Sequence, residues 1–479
     1  MAKRRKARSS AGRYARRTFK APGSSSLICL RDHGPSSLLD PKPFVGAQRD
    51  GGWGAYAEPF LRLNREALND LEVACEFRPD REGTQLRLKP GGSAGAIPLR
   101  SPLTGRVASG LVVRPRFGWS GVGRVLSEIG FHSEIKLLEG PLVPGSGREV
   151  PPWVLAGPVL ARLARLLKAL RRGFRLREDT LQRLRGRVLW GRYLQESIAR
   201  GRYQDLPCRF PDLDTDRRLR SYIRWAAEKL HRDLVQVEAG DPVARLLLDL
   251  ARKLLEELSD ATPIRPLPRE LDLPRATTLQ APELLQGLQA LGWICDERGL
   301  GGGRQQDGLA WTIPLPELWE RYVESVLRQR AFLDGATLSA GRLRETLVPL
   351  AWDHRAHGSL GHLVPDFVVR RRNAIEIVDA KYKSHFAELD ARSWTRMTDD
   401  LRSAHRHDLH QVLAYASLYE ADEVTATLAY PLRPETYTTL SDQGREVATA
   451  TVRLHSRTLR LRLEGLPFGG VSGSRPRGQ

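Results

Sequence analysis

The residues best suited to chemistry lie in one stretch, Val364-Pro-Asp-Phe-Val-Val-Arg-Arg-Arg-Asn-Ala-Ile-Glu-Ile-Val-Asp-Ala-Lys-Tyr-Lys383. It holds two short apolar runs, Val364 to Val369 and Ala374 to Ala380, joined by the polar Arg370 to Asn373. That is the pattern of a β-hairpin with a turn of a few residues. Asp366 stands near the start of the first run, and Asp379 and Lys381 close the second. Residues two apart on a strand share a face, so Asp379 and Lys381 project together, in line with Ile375 and Ile377. A bent hairpin brings Asp366 alongside them. Two carboxylates and an ammonium at one place make a divalent-metal site with a positioned cation.

Phosphodiester hydrolysis uses this set. Mg²⁺ is a hard cation that takes oxygen ligands, commonly one or two carboxylates completed by phosphate and water. The metal polarises the phosphoryl oxygen and supplies a hydroxide, while an adjacent lysine meets the charge that develops in the transition state. Asp366 and Asp379 are therefore the expected ligands, with the Ala380 carbonyl as a third. Lys381 is expected to orient the attacking water and face the anionic phosphorane. Mg²⁺ or Mn²⁺ is the expected cofactor.

The surrounding sequence carries a family resemblance. Pro365-Asp366 followed by Asp379-Ala380-Lys381 resembles the PD-(D/E)xK nuclease motif. Three blocks occur in order: Leu318-Trp-Glu-Arg-Tyr-Val-Glu-Ser-Val-Leu327, the hairpin ending Val378-Asp-Ala-Lys-Tyr-Lys383, and Asp408-Leu-His-Gln-Val-Leu-Ala-Tyr-Ala416. Together they resemble McrC, the nuclease subunit of McrBC-type modification-dependent restriction systems.

The resemblance implies a C-terminal α/β core of restriction-endonuclease-like PD-(D/E)xK type, over about 309–469. It implies that Glu320 joins the metal shell directly or through water; the alternative is a surface acid favoured by the helix macrodipole. Gln411 and Tyr415, four apart on one helix face, become the element beside the active site that contacts DNA phosphate or holds the catalytic lysine. Asp408 supports it from behind, and Tyr382 and Lys383 either contact DNA or support the structure. The implied partners are double-stranded DNA, modified in the family's usual case, and an McrB-like AAA+ GTPase or ATPase.

Composition agrees with a nucleic-acid partner. The 479 residues include 76 Lys and Arg against 56 Asp and Glu, a formal net charge of +20. Such a balance calls for a polyanion, and nucleic acid is the first candidate; the alternative is an arginine-rich solvated surface. Cys29, Cys75, Cys208 and Cys295 are far apart and form no CxxC pair, against both a zinc ribbon and a disulfide framework. No apolar run spans a bilayer and no apolar segment follows the basic start, so the expected place is the cytoplasm.

Residues 1–44 are basic, then rich in Ser, Gly and Pro, and are expected to be a disordered tail. Residues 45–150 read as a β-rich N-terminal domain, with strands at Thr84 to Lys89 and Gly110 to Pro115 and a helix at Val122 to Ile129. Arg114, Arg116, Phe117 and Trp119 suit a stacking and phosphate-contact surface, or, alternatively, core aromatics with surface arginines. Residues 151–308 read as a helical middle domain with a proline-rich linker at Pro263 to Pro274. There Arg185 and Arg187, near Tyr193 and Tyr203, suit DNA backbone contact or a solvated surface. The glycines Gly301 to Gly303 lack the Gly-Lys-Ser/Thr that completes a phosphate loop, so any NTPase is another polypeptide. His405, His407 and His410 have poor spacing for zinc and are expected on a wet helix face. Residues 470–479 read as a disordered tail.

Two other readings compete with a nuclease that works with a motor. One is a non-enzymatic DNA-binding or motor-docking subunit, which would not need Asp366, Asp379 and Lys381 all intact. The other is a stand-alone repair-type nuclease, which the long N-terminal two-thirds weighs against.

Overall fold

A computed structural model of the chain describes residues 26–46, 53–80, 83–129, 135–138, 141–146, 151–170, 173–214, 216–236, 242–271, 282–295, 308–352, 360–383, 386, 398–454 and 457–470. The N-terminal region is β-rich: β1 (Ser26–Arg31), β2 (Ser37–Leu38), β3 (Val73–Asp80), β4 (Gly83–Pro90), β5 (Ser93–Arg100), β6 (Val107–Arg114) and β7 (Lys136–Leu137). One sheet has the order β1-β6-β5-β11-β7, in which β11 (Trp311–Pro314) arrives from far along the chain, and β2-β4-β3 form a second. Helix α1 (Ala57–Asp70) lays Phe60 and Leu68 against this core. Its buried Asn64 accepts from the Arg100 N–H at 2.7 Å. Helix α2 (Gly118–Glu128) follows β6, as the sequence predicts.

The expected tail to residue 44 is not disordered over its last part. Ser26–Arg31 pairs in parallel with Ser109–Arg114, and Leu39 and Phe44 are buried. The partner strand lies some eighty residues away, so local composition carries no sign of it. The basic head, 1–25, lies outside the described residues.

The middle region is helical but not throughout. Helices α3 (Pro152–Ala169), α4 (Arg217–Val235), α5 (Pro242–Glu257) and α6 (Pro282–Cys295) pack through Leu163, Ile223, Leu247 and Leu291. Asp216 caps α4 by accepting from the Arg218 and Leu219 N–H groups. Between α3 and α4 the chain forms β8 (Gly173–Leu181), β9 (Arg187–Val188) and β10 (Leu206–Asp214), a small antiparallel sheet in the order β8-β10-β9. The helical expectation fails there because the segment alternates charged and apolar residues and satisfies its backbone by long-range pairing. The glycine loop before Gly308 lies outside the described residues.

The C-terminal region opens with α7 (Leu315–Asp334), which presents Leu318, Trp319, Tyr322 and Val323 to the core. The strand just before it, Trp311–Pro314, belongs to the first sheet, so the boundary expected at 309 falls ahead of a strand that pairs with β5. After β12 (Thr337–Ala340) and the short pair β13 (Val348–Pro349) and β14 (His362–Leu363) come β15 (Phe367–Arg370), β16 (Ala374–Ala380), β17 (Glu423–Leu432), β18 (Val447–Leu454) and β19 (Arg457–Pro467). The sheet order is β12-β15-β16-β17-β19-β18. β16, β17 and β19 run parallel, with α8 (Asp399–Ser417) crossing between β16 and β17 and α9 (Pro434–Asp442) after β17. Parallel neighbours require such crossovers. The Trp319 indole donates to the Ala429 carbonyl at 3.2 Å, fixing α7 across the sheet.

Candidate active site

Strand register brings the acidic pair together. β15 and β16 pair antiparallel with Phe367 opposite Val378, so one step further Asp366 falls opposite Asp379. Directly opposed residues share a face of the sheet, and Lys381 lies two residues beyond Asp379 on that face. The Ala380 N–H donates to Asp366 Oδ2 at 2.8 Å, and the Gly341 N–H donates to the Asp366 carbonyl at 2.7 Å. Glycine is required at 341, because a Cβ there would stand 2.5 Å from the Pro365 carbonyl oxygen. The Thr346 hydroxyl donates to the same Pro365 carbonyl at 2.6 Å. The bend before β15 is thus held by the Gly341 N–H and the Thr346 hydroxyl, while the Asp366 carboxyl ties it to β16.

Asp379 is fully buried at the end of β16. Its Oδ2 lies 2.6 Å from the Lys381 ammonium, while Oδ1, also buried, has no hydrogen-bond partner. Lys381 donates at 2.9 Å to Gln411 Oε1 on α8, and Gln411 donates through Nε2 to the Tyr415 hydroxyl at 3.1 Å. Gln411 and Tyr415 therefore stand beside the catalytic candidates and hold the lysine. Lys383 donates to both oxygens of Asp408, at 2.6 and 2.9 Å. Asp408 is buried, so this pair ties the end of the hairpin to α8.

Electrostatics mark the same spot. Burial, then the charges of Asp379 and Glu320, push the Asp366 carboxyl well above the usual carboxylate range, against the opposing Ala380 N–H and Lys381. Burial pulls the Lys381 ammonium down, but Asp379, Asp366 and Asp408 outweigh it and hold it above its ordinary value. Burial and the nearby Glu324 raise the Glu320 carboxyl. Glu320 is thus within electrostatic reach of Asp366. Among the described residues, however, no group of three or more His, Cys, Asp and Glu is gathered that could hold a metal ion. Glu320, expected in the metal shell directly or through water, reaches Asp366 here through its charge. Glu324, one turn on, is committed elsewhere: it accepts from Arg328 and from Arg342.

Other expectations change. Tyr382 is only 4% exposed, with the Arg116 guanidinium 4.3 Å from its ring centre and Phe117 and Phe468 about it. Of its two expected roles, DNA contact or structural support, this burial fits the second, because the residue after Lys381 turns to the opposite face and enters the core. His405 is buried against the Tyr430 hydroxyl at 3.3 Å, not on a wet face; His407 and His410 are exposed. Arg187 opens β9 of the separate β8-β10-β9 sheet, and Arg185 lies in the connection before it, its guanidinium 4.2 Å from the Phe210 ring centre. Sequence reasoning missed Asp32, a buried acid that accepts from the Arg116 N–H and pairs with its guanidinium at 3.5 Å. Its only sequence signal is an acid closing an apolar strand.

Two opposed carboxyls, Asp366 half-buried and Asp379 buried with an unpartnered oxygen, fit a hard cation that completes its shell with water and phosphate. No helix among the described residues is long and apolar enough to cross a membrane.

The family of McrBC 5-methylcytosine restriction system components matches residues 154–431. No curated protein matches the chain. Among solved structures the chain is similar to one from the tetradecameric assembly of Thermococcus gammatolerans McrB AAA+ hexamers with bound McrC. The identity is 13%, covering 93% of this chain and 96% of that one, with a TM-score of 0.38. It is also similar to a chain of the Thermococcus gammatolerans McrBC complex, at 13% identity, 64% and 88% coverage and a TM-score of 0.26.

Proposed function

The chain belongs to the family of McrBC 5-methylcytosine restriction system components, and we propose that within it this is the McrC-like nuclease subunit. It is a Mg²⁺-dependent DNA endonuclease whose C-terminal sheet is a PD-(D/E)xK core. The observation that carries the reading is the opposition of Asp366 and Asp379 with the Lys381 ammonium 2.6 Å from the latter. A structural ion pair would leave no reason for Asp379 Oδ1 to be buried without a partner.

Asp366, Asp379 and the Ala380 carbonyl would hold the metal, with Glu320 acting through water. A bound Mg²⁺ supplies Lewis acidity toward the phosphoryl oxygen and an acidified water. The chain supplies the rest. Its two carboxylates fix where the scissile phosphate can sit. Gln411 aims Lys381 at the attacking water, and the ammonium meets the negative charge gathering on the equatorial oxygens. Because Asp366 resists ionisation when the site is empty, the metal and the carboxylate's proton compete, so the site loads better as pH rises.

No nucleotide-binding loop is legible in the sequence, so the motor is a separate AAA+ NTPase. Among the elements available for docking, the β8-to-β10 segment exposes Leu184, Trp190, Leu194 and Tyr203. The reading is tested by incubating plain and cytosine-methylated plasmid with Mg²⁺, with the protein alone and with an McrB-like AAA+ NTPase plus GTP or ATP. Cleavage that requires partner and nucleotide supports it. Cleavage by the protein alone assigns a stand-alone nuclease. DNA or partner binding with no cleavage in any combination assigns a non-enzymatic subunit.

A further inference from the structure

Between the N-terminal sheet and the far end of β17 lies a cavity of about 470 Å³ that the catalytic account leaves unused. It is lined by arginines from four places: Arg31 ending β1, Arg114 and Arg116 at and just past the end of β6, Arg124 on α2, and Arg433 just after β17. One acid, Glu435, shares the lining. Behind it Asp32 pairs with Arg116, and Glu128 lies close enough to Arg124 to feel its charge. Five guanidiniums against three carboxylates leave the cavity positive. Arg116 Nε faces Asp32 Oδ2 at 3.5 Å, and its Nη2 is buried without a hydrogen-bond partner.

The backbone adds to this. Gly118, Trp119, Ser120 and Gly121, the first turn of α2, form part of the wall, and α2 has no side-chain cap. The Gly118 N–H donates to the Pro115 carbonyl at 2.9 Å, so the helix start contributes its dipole to the wall. Gly118 has φ of 74°, a conformation that favours glycine and lets the chain turn from β6 into the helix at the cavity wall.

Guanidinium forks match phosphate oxygens in geometry as well as charge. The cavity is larger than a bare phosphate needs and lies within the range of small-ligand sites, so a phosphate with its sugar fits. Two sources offer that chemistry, a nucleic-acid strand and a free nucleotide. Position favours the strand. The Lys381 N–H pairs with the Ala429 carbonyl on β17, and Arg433 lies four residues further along the same chain. Arg116, in the cavity wall, covers Tyr382, which follows Lys381 in sequence and faces the opposite side of the strand. Arg433 donates to the Arg116 carbonyl at 3.5 Å, joining the two sides of the pocket. Arg31 and Arg433 are exposed, so the cavity opens to solvent.

We propose that this arginine pocket grips a backbone phosphate of the DNA beyond the cleaved bond, holding the strand to the N-terminal region while the C-terminal sheet cuts. The proposal rests on the DNA-nuclease reading, but its test is binding rather than cleavage. Full-length protein in EDTA is titrated against a short fluorescent duplex over a series of salt concentrations. The Arg31→Gln/Arg433→Gln double variant is compared with wild type, and Arg252→Gln, on the remote helix α5, serves as the control for lost charge. Both altered side chains of the double variant are exposed, and circular dichroism confirms that it folds.

The expected result is a loss of affinity of about tenfold and a log–log salt slope smaller by about two in the double variant, with little change in the control. Equal losses in the control and the double variant overturn the pocket as the site, and so does an unchanged affinity and slope. A deoxynucleoside monophosphate that binds wild type but not the double variant, with duplex binding untouched, overturns the DNA assignment in favour of a free nucleotide. Failure to cleave DNA in Mg²⁺ with the AAA+ partner and nucleotide present overturns the nuclease reading without altering this binding result.

Discussion

Replacing Asp366 by asparagine should make the metal-free protein more stable at neutral pH. Burial, Asp379 and Glu320 raise the Asp366 carboxyl above its ordinary 3.8, and the Ala380 N–H and Lys381 offset only part of this. A carboxyl whose folded value is raised destabilises the folded state. The penalty is absent below 3.8, where both states are protonated, and grows as pH rises because the unfolded chain ionises first. It is complete once pH passes the folded value. Each pH unit in that window is worth about 1.4 kcal/mol, so the ceiling at neutral pH is about 4 kcal/mol. Relaxation around the site brings the expected gain to about 2–4 kcal/mol. The asparagine Oδ1 can still accept from Ala380, so no buried N–H is orphaned. Urea unfolding in EDTA across mildly acidic to mildly basic pH reads this directly. Wild type should lose stability as pH rises while Asp366→Asn stays nearly flat. Added Mg²⁺ should restore wild type by mass action and leave the variant unchanged. A variant less stable than wild type in EDTA at neutral pH, or one stabilised equally by Mg²⁺, refutes the reasoning.

Three further outcomes follow from the contacts. Gln411→Leu removes the acceptor that aims Lys381, so single-turnover cleavage should slow by about tenfold, with unfolding little affected. Lys383→Met leaves the buried Asp408 without its ammonium and should lower stability by about 1–3 kcal/mol in urea; adding Asp408→Asn should recover most of it. Gly341→Ala drives a Cβ against the Pro365 carbonyl. It should cost about 1–3 kcal/mol in urea and depress cleavage more than DNA binding, because the displaced segment carries Asp366.

The parts of the site legible in the sequence were those set by short-range periodicity. The hairpin Val364 to Ala380 alternates and is broken by four polar residues, and it forms β15 and β16 close to the expected limits. The i, i+4 spacing of Gln411 and Tyr415 places both on the face of α8 that meets Lys381. Long-range pairing was not legible. Ser26–Arg31 looks like one end of a polar tail until β6 supplies its hydrogen bonds. Trp311–Pro314 reads as the approach to a helix, yet its partner is β5, more than two hundred residues earlier. The β8-β10-β9 sheet interrupts the helical middle for the same reason. Burial also escaped the pattern. Tyr382, a polar-tipped ring between two lysines, reads equally as a DNA contact or a structural support, and strand alternation turns it into the core beside Phe468. His405 reads as wet among its charged neighbours, but it faces Tyr430 across the helix–sheet contact.

The central claim is that Asp379 and Lys381 serve phosphodiester hydrolysis rather than a structural ion pair. Single-turnover cleavage of plasmid DNA in Mg²⁺, with the AAA+ partner and nucleotide present, should compare wild type with Asp379→Asn and Lys381→Met. Each substitution should lower the rate by about 10²–10³-fold or more, with partner assembly and DNA binding intact. Cleavage at wild-type rate in either variant, or cleavage by wild type undiminished in EDTA, would contradict the account.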